Sequence, residues 1–205
     1  MDEWLKTYAE GEADNASFFG FYCEPAKLPG WVADRIPAGM ALSEFCRDID
    51  TWLSMYVRIH KIQALEQQGI HVYGGSGWTS RTRCYKGFAD HQQELTRIYN
   101  ASAINLDLPR VYQRNIITMR VFDVLACRAV VITEPSPQLL QYFEPNKDLF
   151  TYRNTQEMQS LIQYILDNPE EAKQVAHNGY RKVISQHLIS QRVRIIVRKM
   201  QQLGF

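Results

Sequence analysis

Apolar residues recur at a helical interval from residue 43 to residue 68, and this pattern predicts the clearest helix of the chain. A short apolar run at 70–73 follows directly and predicts a strand. Farther along, short apolar runs alternate with amphipathic stretches. Further strands are expected at 84–88, 103–108, 129–133 and 149–152, and further helices at 90–99, 119–128, 136–143, from 154 or 155, from 169, and at 190–203. This alternation predicts an α/β fold with a doubly wound parallel sheet.

The composition is that of an ordinary globular protein with one sizeable core. The chain has 205 residues, 45% of them hydrophobic, and a formal net charge of +1. This balance gives no global field that would attract nucleic acid, so we predict no nucleic-acid partner. No apolar run approaches the ~20 residues that span a bilayer, and residues 1–15 are too acidic and polar for a signal peptide. We therefore predict a cytoplasmic protein without a transmembrane segment.

Cysteine and histidine residues give no sign of a metal site. The four cysteines form no Cys-x-x-Cys pair, and the five histidines show no ligand spacing. We predict reduced thiols and no bound metal.

A glycine-rich segment follows the first predicted strand. Gly74, Gly75, Ser76 and Gly77 form the sequence GGSG, and its glycines would let the main chain approach a phosphate or nucleotide without Cβ clashes. The spacing is not that of a full dinucleotide fingerprint. From the residues alone, a ligand-binding loop and a plain tight turn both remain open.

Two polar residues are associated with the predicted strand at 103–108. Asn105 and Arg110 are expected at its end, where Arg pairs well with diphosphate oxygens. They are interpreted either as a wall of a ligand pocket or as a turn amide and a solvated side chain.

The stretch 114–134 carries the most specific candidate chemistry. Arg120 and Asp123 lie three residues apart near the start of a predicted helix, so both can project from one face. The helix N-terminus favours an anion, and the Asp123 carboxylate could accept hydrogen bonds from sugar hydroxyls. A surface ion pair between the two residues is the alternative.

Several motifs occur in a familiar order from Tyr99 to Arg194. They are AINLDLPR, MRVFDVLACRA, VVITEPS, LLQYFEPNKD, FTYRN and LDNPEEAKQVAHNGYRKVISQH. Their order resembles the C-terminal domain of group 1 glycosyltransferases, and most closely the branch typified by the spore maturation protein CgeB. The resemblance implies a Rossmann-like domain, the C-terminal half of a GT-B fold, that binds a nucleoside diphosphate sugar.

The resemblance also implies a domain arrangement. Residues 1–42 would form an irregular or helical connecting segment, 43–188 the donor-nucleotide-binding domain, and 189–205 a terminal helix that crosses back to the first domain. A complete enzyme of this kind needs roughly twice this length, at about 100–200 residues per domain. We therefore expect a larger N-terminal domain, or a partner chain, to be missing. From its residues alone, the basic terminal stretch is a solvated face or a membrane or partner contact.

In the resembled family, the site residues would contact the donor directly. Asp123 stands where the family has the glutamate that holds the donor ribose, and Asn115 replaces the other acidic position. Arg114 and Arg120 would stabilise the leaving diphosphate without a required metal or other cofactor. Arg128 stands where the family has glycine. The glycine segment, Asn105 and the residues of the 114–123 segment are expected in one electropositive crevice.

Two other functions fit a Rossmann-like fold. One is a non-catalytic protein-interaction module that uses the aromatic N-terminal segment and the basic terminal helix. The other is a sugar-nucleotide epimerase, for which a Tyr-x-x-x-Lys pair and a full dinucleotide fingerprint are expected and are not found. The acceptor, the base and the sugar of the donor cannot be predicted from these residues.

Overall fold

The structure, a computed structural model, describes residues 34, 36–91, 93–113 and 115–204. Most of the predicted connecting segment 1–42, and also Arg114, lie outside the described residues. The chain divides into two compact units, which are described separately. The first unit holds the described residues up to Ala89, with Leu108–Ile117 and Arg153–Gln159; the second holds Asp90–Asp107, Thr118–Tyr152 and the residues from Ser160.

A long helix and two short parallel strands form the first unit. Helix α1 (Leu42–Ala64) is followed by a 3₁₀ turn, and Gly69 adopts the left-handed conformation that ends it, with φ of 70°. Strand β1 (Val72–Tyr73) pairs in parallel with β2 (Tyr85–Gly87). A second 3₁₀ turn, Ser76–Trp78, follows β1 directly, and a third covers Val111–Gln113.

The core of the first unit is the apolar face of α1. Its buried members on the helix are Cys46, Ile49, Leu53 and Val57, and Val111 packs against them. A hydrogen bond fixes this contact, because the main-chain N–H of Val111 donates to Ser54 Oγ over 3.0 Å. Burial of this face stabilises the helix far more than its intrinsic propensity does.

Parallel strands alternate with helices in the second unit. Its elements in chain order are α2 (Glu94–Ala101), β3 (Asn105–Leu106), α3 (Met119–Ala126), β4 (Val131–Thr133), α4 (Pro137–Tyr142), β5 (Phe150–Thr151), the later part of α5 (Thr155–Asp167), α6 (Pro169–Gln186) and α7 (Ile189–Gln202). The strand order is β3-β4-β5, and both pairings are parallel. Each connection must therefore cross over the sheet, as in a doubly wound fold.

Within the second unit, helix α6 packs closely at Gly179 against Asp148 and Leu125. A Cβ at this position would lie 2.2 Å from the main-chain oxygen of Asp148 and 2.6 Å from a methyl group of Leu125. Only glycine therefore allows this approach. On α3, which packs against α6, Val121, Val124 and Leu125 are buried.

The predicted α/β fold is confirmed, and the predicted elements correspond closely to the observed ones. The strands are shorter than predicted, so that Asn105 is the first residue of β3 rather than a residue at its end. Met119, an apolar residue at the start of α3, is 75% exposed, because the buried side of this helix is formed by Val121, Val124 and Leu125. The predicted domain boundaries at 42/43 and 188/189 stay predictions.

Candidate functional site

A buried carboxylate lies at the carboxyl end of strand β3. Asp107 directly follows the strand and is 1% exposed. Its Oδ2 atom accepts hydrogen bonds from Thr118 Oγ1 and from Thr133 Oγ1, both over 3.0 Å. Its Oδ1 atom accepts one from Arg120 Nη1. The ends of β3 and β4 and the start of α3 are thus joined at the sheet edge where open α/β sheets bind ligands.

Arg120 occupies the first turn of helix α3 and forms an ion pair with Asp107. A cation at a helix N-terminus opposes the helix dipole, so the buried Asp107 carboxylate compensates for an unfavourable position. The Arg120 side chain is 41% exposed. The alternative prediction was a surface ion pair between Arg120 and Asp123. In the structure Arg120 pairs with Asp107 instead.

Asp123 lies one turn farther along α3, at the surface. Removal of water by neighbouring groups raises the pKa of the Asp123 carboxyl, and the charges of His91 and Arg120 oppose this rise. The carboxylate is exposed, so its oxygens can accept hydrogen bonds from ligand hydroxyls.

Asn105 makes a structural contact with the main chain. Its side-chain amide donates to the carbonyl oxygens of Tyr99 and Val130, each over 3.2 Å, and the residue is buried. Both amide hydrogens are therefore used by the fold. The Asn105 carbonyl oxygen is the only group of this side chain left for a ligand.

The first unit contains an open cleft of about 280 Å³ between helix α1 and the glycine segment. Three arginines line it, namely Arg58, Arg81 and Arg110. No carboxylate is among the described residues around it, so the cleft is electropositive. The other lining residues are Thr51, Ser54, Met55, Gly75, Gly77, Trp78 and Tyr112.

Contacts within the cleft hold its arginines in place. The Arg58 guanidinium lies 5.2 Å from the centre of the Trp78 ring, and Arg81 Nε donates to the Gly77 carbonyl oxygen over 3.1 Å. Arg110 donates through Nη1 to the Tyr112 hydroxyl. Neither Arg81 nor Arg110 has a carboxylate partner among the described residues. An anionic ligand could therefore complete their hydrogen bonding.

The glycines of the 74–77 segment have different structural demands. A Cβ on Gly74 would lie 3.2 Å from the Trp78 ring, so packing disfavours a larger residue there. A Cβ on Gly75 or Gly77 would meet nothing within 4 Å. The fold itself leaves room at these two positions, and their small size keeps the cleft wall open to a ligand. Ser76 is exposed between them.

The structure thus gives two groups of candidate residues, one in each unit. Gly75, Gly77 and Arg110 line the cleft of the first unit. Asn115 belongs to the same unit and is exposed in a turn, but it does not line the cleft. Arg120 and Asp123 lie on α3 of the second unit. The convergence of all these residues in one crevice stays a prediction.

Comparison with known families decides what the chain is related to. Residues 58–198 match the family model described as glycosyl transferase-like. The chain belongs to this family. The match includes both groups of candidate residues. No curated protein sequence matches the glycosyl transferase-like chain.

A solved structure shares the fold of this glycosyl transferase-like chain. Sucrose-phosphate synthase from Thermosynechococcus elongatus superposes with a TM-score of 0.58 at 16% sequence identity. The match covers 71% of this chain and 42% of the synthase, so the chain spans less than half the length of that enzyme. The Rossmann-like fold predicted from the motifs is therefore confirmed.

Several residues of the glycosyl transferase-like chain were not found by sequence reasoning. Asp107 was read only as part of a strand, although a carboxylate directly after a short apolar run is a signal for a strand-end residue. Arg58, Arg81 and Trp78 gave no usable signal, because their proximity to Arg110 depends on tertiary folding. Among the described residues no group of three or more His, Cys, Asp and Glu could hold a metal ion, and no helix there has the length and apolarity needed to cross a membrane.

Proposed function

We propose that this chain is the donor-nucleotide-binding part of a GT-B glycosyltransferase of the CgeB-like branch. It transfers a sugar from a nucleoside diphosphate sugar to an acceptor that its residues do not identify. The family match over residues 58–198 carries this proposal. The electropositive cleft and the Arg120 site support it, because a sugar-linked diphosphate is an anion rich in hydroxyl groups.

Arg120 and Asp123 are the proposed catalytic residues. When the bond between the sugar and the diphosphate of the donor breaks, negative charge develops on the departing nucleoside diphosphate. The Arg120 guanidinium and the main-chain N–H groups at the start of α3 stabilise this charge, with no metal ion or other cofactor required. Asp123, which is exposed on α3, accepts hydrogen bonds from donor hydroxyls.

Other residues are proposed to bind the donor without taking part in bond breakage. In the first unit these are Gly74, Gly75, Ser76, Gly77 and Arg110 at phosphate oxygens, with Asn115 at a sugar hydroxyl. Asn105 contributes at most its carbonyl oxygen, since its amide is bound to the main chain. Arg114, outside the described residues, is proposed as a further phosphate ligand.

The whole enzyme is proposed to contain more than this chain. The chain corresponds to 42% of the matched synthase, which supports a missing N-terminal domain or partner chain that binds the acceptor. Helix α7 would then be the terminal helix that crosses back toward that domain. We place the enzyme in the cytoplasm.

A non-catalytic interaction module is the second candidate function. Helix α7 favours it, because Ile189, Ile195 and Ile196 are 83%, 62% and 58% exposed. Large exposed apolar patches mark surfaces that bind other molecules. An interaction module would not require nucleotide binding, and this separates the two candidates.

Thermal unfolding with a panel of ligands tests the proposal. We expect one of UDP, GDP or dTDP, or its sugar derivative, to raise the Tm of the chain saturably. The matching nucleoside without phosphates should raise it far less, and Arg120→Ala should reduce the shift. A panel without any saturable shift would favour the interaction module instead.

A further inference from the structure

Burial closes the Asp107 carboxylate to direct contact with a ligand. It is 1% exposed, and both of its oxygen atoms are occupied by side chains of the protein. Two of these contacts are hydroxyl groups and the third is the Arg120 guanidinium. Any effect of Asp107 on a bound molecule must therefore pass through one of these three partners.

Arg120 is the partner that can reach a ligand. Its side chain is 41% exposed, whereas Thr133 is buried at the end of β4 and Thr118 already donates its one hydroxyl proton to Asp107. Only Nη1 of the guanidinium is engaged by Asp107, so further N–H donors remain on the same rigid plane. A buried anchor on one side and exposed donors on the other are what a fixed anion-binding arginine requires.

A long arginine side chain would otherwise adopt many rotamers at the surface. Ordering such a side chain at the moment of binding lowers affinity by about tenfold, taking ~1–2 kcal/mol of rotamer entropy. An ion pair to a buried carboxylate supplies that order before a ligand arrives. The helix dipole, which disfavours a cation here, makes the carboxylate still more necessary.

We propose that Asp107 is a positioning residue, which holds the Arg120 guanidinium in one orientation at the N-terminus of α3 for contact with the donor diphosphate. This inference rests on the proposed function for its ligand. Asp107 itself does not touch the donor. Thr118 and Thr133 both donate to Oδ2, so Oδ1 still faces Arg120 when one of the two hydroxyls is lost.

A double-mutant cycle tests the role in binding. Asp107→Asn keeps the shape of the side chain, removes its charge and replaces one of its two acceptor oxygens with an N–H donor group. With the nucleoside diphosphate that stabilises the wild type, we expect about tenfold weaker binding for Asp107→Asn. In the Arg120→Ala background the same change should have almost no further effect. An equal loss in both backgrounds would overturn the proposal.

Thr133→Val is the matched control for loss of structure. It removes one hydrogen bond from the same carboxylate and leaves Arg120 in place. We expect it to lower the stability of the chain while changing the affinity for the diphosphate less than twofold. A loss of affinity as large as that of Asp107→Asn would show that Asp107 acts only through the fold.

A second measurement needs no ligand and no variant that must fold. In the wild type, ¹⁵N NMR of the Arg120 side chain should show separate, slowly exchanging Nη signals, because the ion pair restricts rotation of the guanidinium. Averaged Nη signals would overturn the proposal even if nucleotides bind. If no nucleotide binds but the Nη signals are separate, the proposed function fails while the fixed orientation of Arg120 stands.

Discussion

The guanidinium of Arg128 stacks on the ring of Tyr180, with 4.3 Å between the guanidinium carbon and the ring centre. One of its nitrogens also donates to the Tyr180 hydroxyl over 3.3 Å. Arg128 has a φ of 57°, in the left-handed region that side chains other than glycine rarely adopt. The resembled motif has glycine here, so the turn is preserved and the stacking offsets part of its strain.

Substitutions of Arg128 should measure separately the energy of its backbone strain and the energy of its stacking on Tyr180. Arg128→Ala keeps the left-handed strain and loses the contact with Tyr180, whereas Arg128→Gly loses both. We expect the glycine variant to be more stable than the alanine variant by about 1 kcal/mol. Urea unfolding of both variants measures the difference. Equal stability of the two would show that the backbone at this position is not strained.

Gly179 should tolerate no side chain. Because a Cβ would lie 2.2 Å from a main-chain oxygen rather than from a flexible side chain, helix α6 would have to shift. We expect Gly179→Ala to lower the free energy of unfolding by about 3 kcal/mol. Gly77→Ala is the control, since its Cβ meets nothing and should change stability by no more than about 0.5 kcal/mol. Similar stability of both variants would contradict this packing.

His187 should make stability depend on pH. Its ring lies among those of Phe122, Tyr142 and Phe143, and Arg192 approaches its Nδ1 atom to 3.1 Å. Burial lowers the pKa of His187, and the charges of Arg192 and Lys182 lower it further. The unfolded chain then binds a proton more readily than the folded one near the ordinary His pKa of about 6.5.

Stability should therefore be fully present above that value and should fall as the pH drops through it toward the lowered pKa of the folded state. His187→Asn should remove this part of the pH dependence in unfolding experiments between about pH 7 and pH 5. The exposed His60, replaced by Gln, serves as the control and should leave it intact. An unchanged pH profile in His187→Asn would contradict the lowered pKa.

The cleft of the first unit should bind pyrophosphate through its arginines. Arg81→Ala and Arg110→Ala each remove one of the guanidinium groups that line it, so we expect several-fold weaker binding for each variant. Arg83→Ala is a matched control, because Arg83 is 84% exposed on the same segment and pairs with Glu66. Equal loss in all three variants would indicate attraction by overall charge and not a built site.

Element prediction succeeded where the signal is local. The helical spacing of apolar residues in 43–68 predicts a helix that buries one face. The continuous apolar run at 129–133 predicts a strand that is buried on both faces. Met119 at the start of α3 shows the limit of such a local signal, because this apolar residue is exposed. A helix of only two turns leaves the position of its apolar stripe poorly defined by spacing alone.

The site was harder to predict, because its contacts join distant parts of the chain. Asp107 meets Thr133 only through the register of β3 with β4, which the sequence does not reveal. Arg58 and Arg110 likewise come together through tertiary packing. The left-handed turn at Arg128 gives no signal through its own residue type, and the glycine of the resembled motif is what points to it.

Calorimetric titration of the chain with nucleoside diphosphates, in buffer containing EDTA, measures directly whether the chain binds a donor nucleotide through Arg120. We expect saturable binding of one nucleoside diphosphate at a single site, unaffected by EDTA and weakened at least about tenfold in Arg120→Ala. Absence of binding to the wild type, or equal binding by Arg120→Ala, would contradict the proposed donor site.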